Sequence, residues 1–223
     1  MILGIDTSTD NALVCISENG KLIDQMKNGA QRDHASWLQA AVNELLKKNE
    51  KNIQQLDAVA VTLGPGSYTG LRVGLSAAKG YCYALKIPLI GLNTLEVMAH
   101  AVKDKAGDWI CPMIDARRME VFMAIYDRDL KEQVKPQAMI LQADHFNSLL
   151  KEHEILFCGN GYPKLATVLN QNPRISFISV NNLAFSLVTL AEIELRKGEN
   201  TDIAYIEPLY LKEFHSSTPL SRD

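Results

Sequence analysis

Two successive halves of this chain carry the same order of strand-like and helix-like segments, and that repetition restricts the fold more than any other feature. In the first half, segments 2–5, 12–17 and 21–26 read as strands bounded by the turn-rich runs DTSTDN and SENGK. Segment 33–48 reads as a helix: Leu38, Ala41, Val42 and Leu45 recur at i, i+3, i+4 and i+7, and Asp33 stands where an N-cap would. Strand 57–62, helix 69–85, strand 88–91 and helix 93–102 follow, the last opening with Asn93 and Glu96 at capping-box spacing. In the second half, 109–114, 120–126 and 137–141 read as strands. Helix 144–151, strand 154–158, helix 162–170, strand 175–180 and helix 183–196 come after them. Each half is βββαβαβα.

A hairpin followed by strands separated by helices predicts an antiparallel ribbon attached to a parallel sheet, so the chain is expected to form two similar α/β units. The polar run 103–108 (KDKAGD) sets the expected boundary, with units at 1–104 and 105–223. This order resembles the duplicated ribonuclease-H-like fold shared by actin, Hsp70 and sugar kinases (ASKHA). The apolar run 201–214 is expected to dock on the body, and 215–223 to fray.

Composition excludes disorder: of 223 residues, 47% are hydrophobic and 22% charged. The balance of 23 Lys+Arg against 26 Asp+Glu, net −3, argues against strong independent binding to a polyanion and leaves room only for a local basic patch. Cys15, Cys82, Cys111 and Cys158 form no C-x-x-C pair, and three lie in apolar runs, so reduced core thiols are expected. The opening MILGI carries no basic n-region, and no run approaches the ~18 apolar residues of a membrane span. A cytoplasmic protein without membrane contact is expected.

The stretch from Gly64 to Gly80 (GPGSYTGLRVGLSAAKG) places glycines where a strand turns into a helix, where backbone N–H groups can hold an anion. Its spacing fits neither G-x-G-x-x-G nor G-x-x-x-x-G-K-[ST]. Gly64, Gly66 and Ser67, with Asp6 and Thr7 from the first strand's end, are the candidate vestigial phosphate site. Asp115 ends the first strand of the second half as Asp6 does in the first. Kinases of this fold hold Mg²⁺ with a carboxylate there, although Asp6 can equally close its own turn. Gly159-Asn160-Gly161 is a second, weaker nucleotide loop. His34 is followed four residues on by Leu38, so the H-x-x-x-H pair that puts two imidazoles on one helix face is missing and no metal is expected. Arg32, Arg72, Arg117 and Arg118 are further oxyanion candidates.

Ile5-Asp6-Thr7-Ser8-Thr9, the Gly64–Gly80 stretch, Ile87-Pro88-Leu89-Ile90-Gly91, Thr94-Leu95-Glu96, Ile114-Asp115-Ala116-Arg117-Arg118, Glu120-Val121, Gly159-Asn160-Gly161 and Glu207-Pro208-Leu209-Tyr210-Leu211-Lys212 together resemble the bacterial TsaB (YeaZ) family. Leu63 and Lys212 stand where that pattern usually has arginine. The resemblance implies a non-catalytic scaffold and activator in the formation of N6-threonylcarbamoyladenosine at position 37 of tRNA. It implies pairing with the paralogous catalytic subunit TsaD, recruitment of the ATPase TsaE, tRNA reached only through the complex, and a homodimer when the chain is unpaired. The implied interface is His34, Trp37, Leu38, Ala41, Val42 and Leu45 on one helix and Gly70, Val73, Gly74, Ala77, Ala78 and Tyr81 on the other. No cofactor is implied, with ATP or ADP at a subunit boundary left open. The alternatives are an ATP-binding or hydrolysing protein of the sugar-kinase type using Asp6 and Asp115, and a metallopeptidase.

Overall fold

In the computed structural model, which describes residues 1–29, 34–169, 171–198 and 202–212, the first five strands form one sheet and the last five another. In the first sheet β1 (Ile2–Asp6) lies between β2 (Ala12–Glu18), antiparallel to it, and β4 (Ala58–Gly64), parallel to it. The antiparallel β3 (Lys21–Asn28) and the parallel β5 (Leu89–Asn93) close the edges. The second sheet repeats this around β6 (Trp109–Asp115): antiparallel β7 (Glu120–Asp127) and β8 (Glu132–Ile140) on one side, parallel β9 (Ile155–Cys158) and β10 (Ile175–Ile178) on the other. Both sheets therefore have the order 3-2-1-4-5. The fold is the duplicated ribonuclease-H-like α/β fold of the ASKHA type.

Alternation along β1 assigns its two faces. Leu3 and Ile5 join the core beneath α1 (His34–Lys48) and α2 (Tyr68–Leu85), whereas Ile2 joins Ala184, Leu187, Val188 and Ala191 of α5 (Leu183–Lys197). Gly4 lies on that second face, where a Cβ would stand 2.1 Å from Leu187 Cδ2. Helix α5 belongs to the second half yet covers the first sheet. Conversely α3 (Thr94–His100), from the first half, places Leu95, Met98 and Ala99 against Ile110, Ile114, Ala124 and Tyr126 of the second sheet. Each half thus lends its last helix to the other's core.

Several expected elements differ. Segment 144–151 forms turns and one 3-10 turn, Leu149–Lys151, because Asp144, Asn147 and Ser148 favour local turns over a helix. Helix α4 is only Tyr162–Ala166. Strand β8 begins at Glu132, ahead of Pro136, which an edge strand tolerates because its N–H is not required there. Asn93 caps α3 by accepting from Leu95 N at 2.8 Å, but Glu96 returns no capping bond. Its carboxyl is half-buried near Glu194, and burial first and that charge second push its pKa up. The expected boundary at 104/105 falls in the 3-10 turn Lys103–Lys105. All four cysteines are buried and free, and burial drives the thiols of Cys15 and Cys158 up to about 12. The run after α5 docks as expected, with Ile206 buried and Leu209 N donating to Leu63 O at 2.7 Å. Asp33, Arg32, Asn170 and His215 lie outside the described residues.

Candidate functional site

Asp6 ends β1 with its side chain buried, and Oδ1 accepts three bonds: from Ser8 N (2.9 Å), Ser8 Oγ (2.6 Å) and Thr62 Oγ1 (2.8 Å). The carboxylate therefore closes its own turn and ties it to β4. Helix α2 packs directly on that turn. Thr7 Oγ1 donates to Gly70 O at 2.7 Å, and Ser67 N donates to Ser8 O at 2.7 Å. A Cβ at Gly66, Gly70 or Gly74 would lie 2.2 Å from Ser8 O, 2.0 Å from Thr7 O or 2.3 Å from Thr7 Oγ1. At Gly64 φ is +118°, and a Cβ would meet Leu209 O at 2.9 Å. These glycines serve close backbone packing. The Ser67 and Gly70 amides that an anion would use are already bonded, Gly70 N to Ser67 Oγ at 3.3 Å, so the expected phosphate cradle of Gly64, Gly66, Ser67 and Thr7 is corrected to a packed joint.

Between the halves lies a cleft of about 370 Å³, lined by Asp6, Thr9 and Asn11 from the first half, Thr94 and Met98 from α3, and Gly159, Asn160, Tyr162, Ser179 and Leu183 from the second half among others. Asp6 and the Gly159-Asn160 loop are thus brought together. Asp115 is not among the lining residues. It bonds Lys164 Nζ at 2.5 Å and Arg117 N at 2.6 Å, so the paired-carboxylate geometry of the kinase reading is absent. Among the described residues no Lys, Arg or His lines the cleft, so of these residues a polyphosphate would find a carboxylate and no cation there. The described lining residues do not fit a nucleoside triphosphate. Thr94 Oγ1, also in the lining, is buried without a hydrogen-bond partner. Among the described residues no group of three His, Cys, Asp or Glu could hold a metal ion. His34 Nε2 lies 3.1 Å from Thr9 O and donates to it, which fixes the ring at the start of α1.

Helices α1 and α2 lie side by side on the first sheet. Leu38, Ala41, Val42, Leu45 and Ala78 are at most 1% exposed in the chain's own core, and His34, Gly70 and Gly74 are buried as well. These eight residues are corrected from interface contacts to internal packing. Trp37, Val73, Ala77 and Tyr81 stay partly accessible, and Tyr81 OH donates to Gln39 Oε1 across the helix pair. Ala40, Glu44, Gly80 and Ala84 complete an outer surface of mostly small residues. Gly80 separates from the other helix glycines: a Cβ there would meet nothing within 4 Å. No packing demand among the described residues explains a glycine inside α2, where it costs about 1 kcal/mol relative to alanine.

The family model described as "TsaD: tRNA N6-adenosine threonylcarbamoyltransferase" matches residues 26–207. A Bacillus subtilis (strain 168) protein named "tRNA threonylcarbamoyladenosine biosynthesis protein TsaB" is 33% identical over 162 residues, 71% of this chain and 70% of the relative. The chain belongs to the TsaB (YeaZ) family. A Haemophilus influenzae TsaB of the same description is 28% identical over 228 residues, 95% of this chain and 93% of its own. The solved structure "YeaZ from Pseudomonas aeruginosa" superposes with TM-score 0.79 at 22% identity, covering 94% of this chain and 99% of that one, and shares its fold. Both α1 and α2 fall inside the region that the TsaD model shares with this TsaB-family chain, whereas Asp6 precedes it.

What the sequence missed at the site are partners far along the chain. Thr62 on Asp6, Lys164 on Asp115 and Tyr210 on Arg72 have no local signal. Gly80 was visible only as one more small residue in a helix full of them. Its outward direction could have been found from its position three residues past Ala77, on the accessible side of the helix.

Proposed function

We propose that this chain acts in threonylcarbamoyladenosine formation on tRNA as a non-catalytic, cytoplasmic subunit that pairs with TsaD through the outer surface of α1 and α2. The relatives' names support the pathway, and the match to the TsaD model supports pairing between two chains that present like helices to each other. Gly80 carries the reading. A helix-interior glycine with open space around it fits a surface where a second backbone comes close, bordered on its own helix by Ala77 and Ala84. TsaD then performs the transfer, the joined surface recruits TsaE, and an unpaired chain covers the same face with a second copy of itself. Any ATP or ADP sits at a subunit boundary, since the described residues of this chain's own cleft include no cation.

The test is light scattering of purified chain with TsaD, beside reconstituted tRNA modification with TsaD and TsaE. Gly80→Trp fills open space in the free chain, so it is expected to fold yet to lose TsaD affinity at least about tenfold, about 1.4 kcal/mol. A folded Gly80→Trp that still pairs normally would refute the face. ATP turnover by the purified chain alone would refute the non-catalytic role.

A further inference from the structure

Five cations gather along one surface where the two halves and the docked tail meet, in a chain whose acids outnumber its bases, 26 to 23. Arg72 lies 4.0 Å over the Tyr68 ring and donates from Nε to Tyr210 OH at 2.9 Å, while the two tyrosine rings stand 5.1 Å apart. Two residues past Tyr210, Lys212 reaches the Glu120 carboxylate at the start of β7. Glu120 closes the turn of the β6–β7 hairpin, where Arg117 and Arg118 sit at φ +69° and +50°. Beside them Lys164 bonds Asp115 at 2.5 Å. Among the described residues the strip's cations are Arg72, Arg117, Arg118, Lys164 and Lys212, and the carboxylates bonded to them are Asp115, with Lys164, and Glu120, with Lys212.

Backbone at positive φ disfavours an L side chain, and glycine or asparagine would hold this turn with less strain. Two arginines occupy it instead. The acids on either side are already matched by Lys164 and Lys212, and neither arginine joins an ion pair among the described residues. Asp115 Oδ1 holds Arg117 N at 2.6 Å, which makes the base of the turn rigid. Tyr210 is 40% exposed and Tyr68 partly so. Guanidinium groups bind phosphate oxyanions bidentately, and exposed aromatic rings stack on unpaired bases. This strip has both, two tyrosines beside Arg72 at one end and two arginines in the hairpin turn at the other.

The geometry points to an RNA-binding strip in this chain, running from Arg72 and Tyr210 to the Arg117-Arg118 turn, that contacts the phosphate backbone and unstacked loop bases of the substrate tRNA. That the RNA is a tRNA rests on the pathway reading above; that the surface takes RNA rests on the strip.

The experiment titrates fluorescently labelled unmodified tRNA with the chain alone and with the chain plus TsaD, at several salt concentrations, while light scattering records assembly separately. Arg117→Asn/Arg118→Gly keeps residues suited to the left-handed turn, so folding is preserved. Each lost phosphate contact lowers the slope of log affinity against log salt by about 0.7–0.9, so the double variant is expected to lose about 1.5 in slope and about tenfold in affinity. Tyr210→Ala is expected to weaken binding with little change of slope. If the arginine variant binds tRNA with wild-type affinity and slope both alone and with TsaD, the strip is not an RNA surface. If it loses TsaD association while its RNA binding stays unchanged, the strip is a protein contact and the proposal is overturned. Failure of the wild-type chain to join TsaD would count against the pairing reading alone, because the titration of the free chain still judges the strip.

Discussion

Thr94 concentrates a conflict between stability and architecture in one atom. Its hydroxyl is buried in the cleft lining with no partner, and leaving such a group unsatisfied costs about 1–3 kcal/mol. Valine has the same shape without the hydroxyl, so Thr94→Val is expected to raise the melting temperature of the free chain. An unchanged or lowered midpoint in a calorimetric scan would mean that the oxygen finds water or another donor in solution. The neighbouring carboxylate shows what a single sequence does and does not disclose at this scale. Asp6 and Asp115 were legible as the ends of equivalent strands, and Asp6 as able to close its own turn. Their decisive partners, Thr62 and Lys164, are 56 and 49 residues away, and nothing local announces them. The same spacing that suggested two matched metal-holding carboxylates therefore concealed one buried and bonded to β4, and one exposed and matched by a lysine.

Helices α1 and α2 show why an apolar stripe does not identify what it faces. The i, i+3, i+4 pattern of Leu38, Ala41, Val42 and Leu45 placed α1 correctly within a residue, because period alone sets a helix. Those residues turned out to face the chain's own sheet, since burial against a core and burial against a partner leave the same pattern in sequence. Small residues on α2 divide likewise: Gly70 and Gly74 admit Thr7, Ala78 meets the core, and Gly80 and Ala84 open outward. A substitution at Ala78 would consequently report on folding rather than on partner binding. Gly80→Ala separates the two. In the free chain it should add about 1 kcal/mol of stability, read as a higher urea midpoint with unchanged m-value, because alanine restricts the unfolded backbone and meets no neighbour. Destabilisation instead would show that α2 is held near Gly80 by contacts that leave no room for a methyl group.

For the whole molecule, the repeated βββαβαβα order made the two sheets legible, down to the antiparallel ribbon and the parallel strands in each. The crossing of the last helices was not, because a helix pattern says that an apolar face exists and nothing about which sheet receives it. Through that crossing, α5 seals the first sheet with Leu187 and Val188, and α3 seals the second with Leu95 and Met98. Neither half then possesses a complete core of its own, and the two should unfold as one cooperative unit despite the duplication. The chain's two tryptophans make this measurable, since Trp37 lies on α1 over the first sheet and Trp109 opens the second. Single-tryptophan variants, Trp37→Phe and Trp109→Phe, report one half each. Since the substitutions also shift stability, each variant is followed by circular dichroism alongside its fluorescence. In both, the fluorescence and dichroism transitions in urea are expected to coincide with a single midpoint. A fluorescence transition displaced from the dichroism curve in either variant would show that one sheet survives without the helix its neighbour lends it, and that the halves are independent domains joined only by the chain.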